Sequence, residues 1–321
     1  MGFHYQNGLD YMVEDKTAQK LLLVGLDSAG KTSILNILNE KYNEMDSIKP
    51  TVGIERDQIK VLGIPIVSWD LGGQYKYREG YLKNLRIFDN ADSLFFVLDI
   101  WNAPRFEEAL HYYADVLTAF KKLKNNPRIV ILIHKVDPNL RENPKTQQIL
   151  ENLRKMFIQE SEGLDISIFA TSIFDRKSII EAFSKNLQQI LTGLQPFKQI
   201  LESLVLLLKL DAAILFDEKL MILSDYYKTK QIEELCLNTI YNSVYYMNYT
   251  NPVLSQKGDF VTNFELVLNV KNNLKKFTFM ETVFREWKIY LLTMSTDPVL
   301  PSAVSARFKA MTHVFDEKVA H

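Results

Sequence analysis

Short, uniformly apolar runs alternate along the first half of the chain with longer segments whose apolar residues recur every three or four positions. Leu21–Val24, Ser93–Ile100 and Arg128–Ile133 are runs of the first kind. They are too short for helices and too continuous for a half-exposed strand, so they read as strands buried on both faces of a parallel sheet. Ile64–Trp69 reads as a further apolar strand and Ile166–Ala170 as the last strand of this half. Between them, Ile34, Leu35 and Leu38 belong to a helix expected from Lys31 to near Tyr42. Asn102 and Pro104 open a second, with Phe106, Leu110, Tyr113, Leu117 and Phe120 on one stripe. Asn143-Pro144 opens a third, with Ile149, Leu150, Leu153, Met156 and Phe157 inward. A fourth follows Asp175 and gathers Ile179, Ile180, Phe183, Leu187 and Ile190. Strand and helix in alternation specify an α/β domain with a mostly parallel sheet covered on both faces.

The pattern changes after Gly193-Leu194-Gln195-Pro196, where glycine closes one helix and proline opens the next. Phe197, Ile200, Leu201, Leu204, Leu207 and Leu208 form a helix face, followed by short strands at Ala213–Phe216 and Lys219–Ser224. Ile232, Leu235, Cys236, Ile240 and Val244 mark another helix. Phe264–Val270 and Phe277–Val283 alternate around a turn at Lys271-Asn272-Asn273, Ile289–Ser295 is a further strand, and Val304, Phe308, Met311 and Phe315 mark the last helix. This order predicts an antiparallel sheet with helices, of the α+β class. The expected division is an N-terminal arm over 1–19, an α/β domain over 20–193 and an α+β domain over 194–321. The aromatic run Tyr241–Tyr249 suits either an interface or a half-buried helix face.

Composition narrows the class only modestly. A length of 321 residues, 47% hydrophobic and 24% charged, fits a globular chain of two domains. A net charge of −1 offers no basic face for nucleic acid. The single cysteine, Cys236, excludes an intrachain disulfide framework and fits a reducing, cytoplasmic setting. Leu204–Leu208, the most apolar stretch, is followed by Lys209 and Asp211, well short of a transmembrane span. Gly2 lacks the Ser or Thr at position 6 that myristoylation prefers, and Asp10, Glu14 and Asp15 would be repelled by anionic lipid. Recruitment to a membrane surface is therefore expected only through partners.

Candidate chemistry is concentrated at strand ends. Gly25-Leu26-Asp27-Ser28-Ala29-Gly30-Lys31-Thr32 lies between a strand and a helix with the spacing G-x-x-x-x-G-K-T. That arrangement turns backbone N–H groups and a helix N-terminus toward a polyphosphate. Asp27, Ser28, Ala29, Gly30, Lys31, Thr32 and Ser33 are the candidate binding residues, with Lys31 able to reach the terminal phosphates and Thr32 able to hold Mg²⁺. Pro50-Thr51-Val52-Gly53 places a second hydroxyl, Thr51, in a flexible connection. Trp69-Asp70-Leu71-Gly72-Gly73-Gln74 ends a strand with a carboxylate for the Mg²⁺ shell, a glycine N–H for the γ-phosphate and an amide suited to orient water. At His134-Lys135-Val136-Asp137, Asp137 can pair with the N1 and N2 donors of guanine and the Lys135 stem can lie along the base. His134 taken alone is more often a structural strand-end residue than a ligand contact. Thr171-Ser172-Ile173 offers backbone N–H groups to the guanine O6. Taken singly, most of these are turns; together they fall where ligands bind in open α/β sheets.

In this order the motifs resemble those of the Ras-like small GTPases. The glycine loop and Trp69–Gln74 are most similar to the Arf branch, whereas His134-Lys135-Val136-Asp137, Thr171–Asp175 and the remaining chain resemble the Rag/Gtr GTPases. The likeness is strongest to a Rag-type GTPase of the C/D branch with an Arf-like phosphate end; intact Gln74 and Thr51 depart from that branch, and an undivided ancestral type fits equally well. The resemblance implies a P-loop GTPase domain followed by a roadblock/longin-like domain, binding GTP or GDP with Mg²⁺. It implies Gln74, Lys31, Gly73 and Thr51 as the catalytic set and Thr32, Thr51 and Asp70 as the metal set. It further implies slow hydrolysis in the absence of an activating protein, exchange factors, and homo- or heterodimerisation with another Rag-like GTPase or a roadblock-domain protein. Three rival classes remain at this level: an Arf-like trafficking GTPase, a GTP-binding scaffold that scarcely hydrolyses, and an ATPase.

Overall fold

The structure is a computed structural model, and it describes residues 18–42, 48–61, 64–241, 263–270, 273–284, 287–297 and 299–319. The chain divides into two compact units between Asn186 and Leu187. Residues 1–17 of the expected arm, most of the Tyr241–Tyr249 run and the turn residues Lys271 and Asn272 lie outside the described residues.

The first unit contains a six-stranded sheet. Its strands are β1 (Gln19–Gly25), β2 (Ile54–Val61), β3 (Ile64–Leu71), β4 (Ser93–Asp99), β5 (Arg128–His134) and β6 (Ile166–Thr171), in the order β2-β3-β1-β4-β5-β6. All pairings are parallel except that of β2 with β3. The apolar runs form the middle of the sheet, and β4 and β5 are buried on both faces. On one face Leu22, Phe96 and Ile131 pack against Tyr113 and Val116 of α3 (Phe106–Leu123) and Leu153 and Phe157 of α5 (Pro144–Glu160). On the other, Phe95 stacks on Phe183 of α6 (Arg176–Ile190) at 4.1 Å between ring centroids. Two further helices flank the strand ends, α2 (Tyr75–Lys83) and the short α4 (Pro138–Arg141).

Helix α1 (Lys31–Leu38) stops short of the expected end near Tyr42. The backbone turns left-handed at Glu40 (φ 58°), and Asn39 and Lys41 both donate to Asp57 of β2, each at 2.7 Å. Strand β2 and helix α2 were not evident from the apolar pattern. In β2 the sequence IERDQIKV is a polar edge strand, and α2 buries only Arg78 and Tyr81.

The second unit is α+β. Strands β7 (Ala212–Asp217), β8 (Ile222–Tyr227), β9 (Asn263–Val270), β10 (Asn273–Phe284) and β11 (Trp287–Ser295) form an antiparallel sheet ordered β8-β7-β11-β10-β9. Helix α7 (Gln195–Leu208) buries Phe197, Leu201, Leu204 and Val205 against β7, β8 and α9 (Pro301–Val319). Helix α8, described over 230–241, buries Cys236, Leu237 and Ile240. Strand β8 begins three residues later than expected, because Asp217 Oδ1 accepts from the N–H groups of Lys219 and Met221 and holds those residues in a turn. Burial pushes the Cys236 thiol up to about 12, which makes it a packing residue. The antiparallel sheet with its helices is consistent with a roadblock- or longin-like domain.

Candidate functional site

The carboxyl ends of β1, β3, β4, β5 and β6 share one edge of the parallel sheet, and the strand-end motifs lie on the loops that leave it. An open cavity of about 450 Å³ occupies this edge. Asp27, Ser28, Ala29, Gly30, Lys31, Thr32 and Ser33 line it, together with Thr51, Gly73, Gln74 and Lys135. Gly30, in the left-handed region at φ 98°, is the N-cap of α1 and directs that helix's free N–H groups at the cavity. Lys31 is buried, and its Nζ donates to the carbonyls of Gly25 (3.1 Å) and Leu26 (2.9 Å). Burial lowers its pKa to about 8 against the opposing pull of Asp70 and Asp27.

Three oxygens meet beside the loop. Asp70 Oδ2 accepts from Thr32 Oγ1 at 2.5 Å and from Thr51 Oγ1 at 3.0 Å, and the two hydroxyls are 3.0 Å apart. Asp70 is 1% exposed, its pKa is raised by burial, and its second oxygen, Oδ1, has no hydrogen-bond partner. A buried, unpaired carboxylate oxygen is costly and invites a cation. The donor set is all oxygen, with a single carboxylate, which fits Mg²⁺ completed by water and phosphate. Among the described residues there is no group of three His, Cys, Asp or Glu side chains that could hold a metal without such help.

The residues expected to meet a base sit on the loops after β5 and β6. Asp137 Oδ1 accepts from Ser172 Oγ at 2.6 Å, and Ser172 Oγ in turn accepts from the Phe174 N–H. Ile173, between them, is half-buried. Lys135 donates to Ser28 O (2.9 Å) and to Asp99 Oδ2 (2.7 Å), so its stem bridges the phosphate loop and the β4 terminus. His134 is placed differently from the other members of this group. It is 1% exposed, its Nδ1 lies 2.9 Å from Thr171 Oγ1, and its ring is packed beneath Gly30. Burial holds its pKa down to about 4, so the ring is neutral at pH 7. It braces the loop from below.

Gln74 is the N-cap of α2, in extended backbone, and lines the cavity. Gly73 before it lies so close to the phosphate loop that a Cβ would come within 2.2 Å of the Asp27 amide nitrogen. Sequence reasoning missed Asp99, Arg78, Arg105 and Glu108. Asp99 was detectable, because it ends an apolar strand at the ligand edge. Arg78 donates to the Gly73 carbonyl at 2.9 Å, and Arg105 to Asp27 Oδ1 at 2.9 Å. Arg105 and Asp27 are too far apart in the chain for any spacing to mark them as a pair.

The model of the Gtr1/RagA G protein conserved region matches residues 20–246. Ras-related GTP-binding protein B of Rattus norvegicus is 26% identical over 248 residues, covering 66% of this chain and 65% of that protein. The chain thus spans just under two thirds of the rat relative. GTP-binding protein GTR2 of Saccharomyces cerevisiae is 28% identical over 267 residues, with 79% of this chain and 76% of that one covered. GTP-binding protein gtr1 of Schizosaccharomyces pombe is 30% identical over 171 residues, covering 52% and 54%. A solved structure of the Arl6 small GTPase from Trypanosoma brucei is similar at a TM-score of 0.44 and 21% identity, over 54% of this chain and 98% of that one. No helix among the described residues is long and apolar enough to cross a membrane. With the family match extending over well more than half of its 321 residues, the chain belongs to the Gtr1/RagA family of G proteins.

Proposed function

We propose that this chain binds GTP and hydrolyses it slowly to GDP, acting as a molecular switch. The observation that carries the reading is the meeting of Thr32, Thr51 and the half-unpaired Asp70 carboxylate beside a G-x-x-x-x-G-K-T loop. Bound there by Thr32 and Thr51 with Asp70 in support, Mg²⁺ would neutralise charge on the β- and γ-phosphates. Lys31 holds the terminal phosphates, and the Gly73 N–H meets the γ-phosphate. Gln74 accepts a hydrogen bond from the attacking water and orients it in line. Asp137 selects guanine by accepting from its N1 and N2 groups, and adenine would leave that carboxylate unpaired. Lys135 lines the base, while Ser172 and Ile173 hold the loop that meets O6.

Single-turnover hydrolysis by the purified chain tests this reading. Gln74→Leu should abolish hydrolysis while leaving GTP affinity nearly intact. Equal turnover in the two proteins removes Gln74 from the mechanism, and competition by ATP on equal terms removes guanine selection. The second unit carries no catalytic arrangement of its own in this reading. Its antiparallel sheet serves to pair the chain with a second family member or a roadblock-domain protein, and light scattering of the full chain with and without such a partner tests that role. Activating and exchange factors, and recruitment to a membrane through partners, belong to the same proposal.

A further inference from the structure

A ring of alternating charges ties the start of α2 to the phosphate loop through α3. Arg78 donates through Nε to the Gly73 carbonyl at 2.9 Å and through Nη2 to Glu108 Oε1. Glu108 also accepts from Arg105 Nε at 2.7 Å and from Arg105 Nη2 at 3.2 Å. Arg105 Nη2 then reaches Asp27 Oδ1 at 2.9 Å. The ring closes where Gly73 presses on the Asp27 amide. Its two cations and two anions balance, and Glu108 is the only member that touches both arginines.

The ring differs from an ordinary surface ion pair in two respects. Arg78 has only 7% of its side chain exposed, with its guanidinium near the rings of Tyr112 (5.1 Å) and Tyr75 (5.6 Å), so water cannot replace a lost partner. One end of the ring is the peptide that immediately precedes Gln74, and the other is a residue lining the phosphate cavity. A planar guanidinium fork held at both prongs fixes direction as well as distance. The two arginines hold the Glu108 carboxyl down to about 2, so it stays ionised across the working range.

We propose that Glu108 is a positioning residue for hydrolysis: by holding Arg78 and Arg105 on one carboxylate, it fixes the Gly73 peptide, and with it Gln74, against the phosphate loop. The inference rests on the GTPase reading above and adds to it a residue on α3 that touches neither nucleotide nor water. Glu108→Gln preserves shape and removes the charge that both arginines share. A displacement of the water-orienting group by about 1 Å is enough to cost about 10²-fold in rate.

The test measures single-turnover GTP hydrolysis, the Kd for fluorescent GDP and the thermal midpoint of the full chain carrying Glu108→Gln. Hydrolysis should fall about tenfold or more, with GDP affinity within about threefold of wild type and the midpoint little changed. Arg78→Lys, which keeps the charge but loses the fork, should show the same split and serves in place of the first variant if that fails to fold. A purely structural role would lower affinity, midpoint and hydrolysis together, and that outcome overturns the proposal. So does an unaltered rate in Glu108→Gln while wild type turns over. A wild-type chain that binds GTP without hydrolysing it overturns the parent reading, and this proposal with it.

Discussion

The imidazole of His134 lies directly beneath Gly30, where a Cβ would come within 2.5 Å of its Cδ2. The contact explains why a strand-end histidine can stand at the junction of the phosphate and base loops without facing the cavity. It also makes a prediction about pH. The folded-state pKa of His134 is lowered by burial from 6.5 to about 4. Between those values the unfolded chain binds a proton that the folded chain refuses. This contribution to stability is therefore fully present above pH 6.5 and is lost as pH falls toward 4, by on the order of 3 kcal/mol if the whole shift is realised. Denaturant titrations from pH 7 to 4.5 should show a shallower decline in His134→Asn than in wild type. Parallel declines would mean that His134 is not the group responsible.

Lys31 gives a pH dependence at the opposite end of the range. Its ammonium is desolvated, with a pKa of about 8, and a bound polyphosphate favours the charged form and raises that value. Above pH 8 nucleotide binding must take up a proton, so affinity should weaken with pH, approaching about tenfold per unit. Lys31→Arg stays charged throughout, and any titration of the guanine itself is common to both proteins. The Kd for GDP between pH 7 and 9.5 should rise more steeply in wild type. Identical slopes would show that Lys31 is already charged, or not engaged, in the free protein.

The two kinds of feature differ in how far the sequence discloses them. Gly25–Thr32 is legible because its chemistry is mainly backbone: glycine spacing, the strand before and the helix after specify it locally. Strands β4 and β5 are legible for a similar reason, since burial on both faces leaves an unbroken apolar run. Helix α2 was not, because its inward face is carried by Arg78 and Tyr81 and not by an apolar stripe. Neither was β2, whose polar positions face outward from a sheet edge. His134 was legible in place but not in orientation, as no pattern along the chain tells which side of a loop a ring will occupy. In the Arg78–Glu108–Arg105–Asp27 ring only the Arg105–Glu108 pair is local; the links to Arg78 and Asp27 are tertiary, and each member alone reads as a solvated charge.

The unpaired Asp70 Oδ1 predicts how the site responds to metal. Asp70→Asn retains an oxygen for the Thr32 and Thr51 hydroxyls, so the local fold should persist. It removes the negative charge that a cation would require, at a cost of about 10–100-fold in metal affinity. Chelation with EDTA should therefore accelerate GDP release from wild type and leave release from Asp70→Asn, already fast, nearly unchanged. An equal response to EDTA in both proteins would place the metal elsewhere.

Asp27 and Arg105 allow a test of charge at the mouth of the cavity. A carboxylate in a phosphate-binding loop opposes its own ligand, yet Asp27 lines the cavity. Arg105 offsets that charge at 2.9 Å, and its hydrogen bond is the largest cause holding the Asp27 pKa below the usual carboxylate value. Arg105→Gln leaves the carboxylate facing a polyphosphate. Two unit charges 4 Å apart near a protein surface interact by about 4 kcal/mol before salt screening, so a loss of about tenfold in GTP affinity is a conservative expectation. GDP, which lacks the terminal phosphoryl group, should lose less. The decisive protein is the double variant Asp27→Asn/Arg105→Gln, in which the repulsion is gone and affinity should return toward wild type. If the double variant binds GTP as weakly as Arg105→Gln alone, the arginine acts through packing, and its neutralisation of Asp27 is incidental.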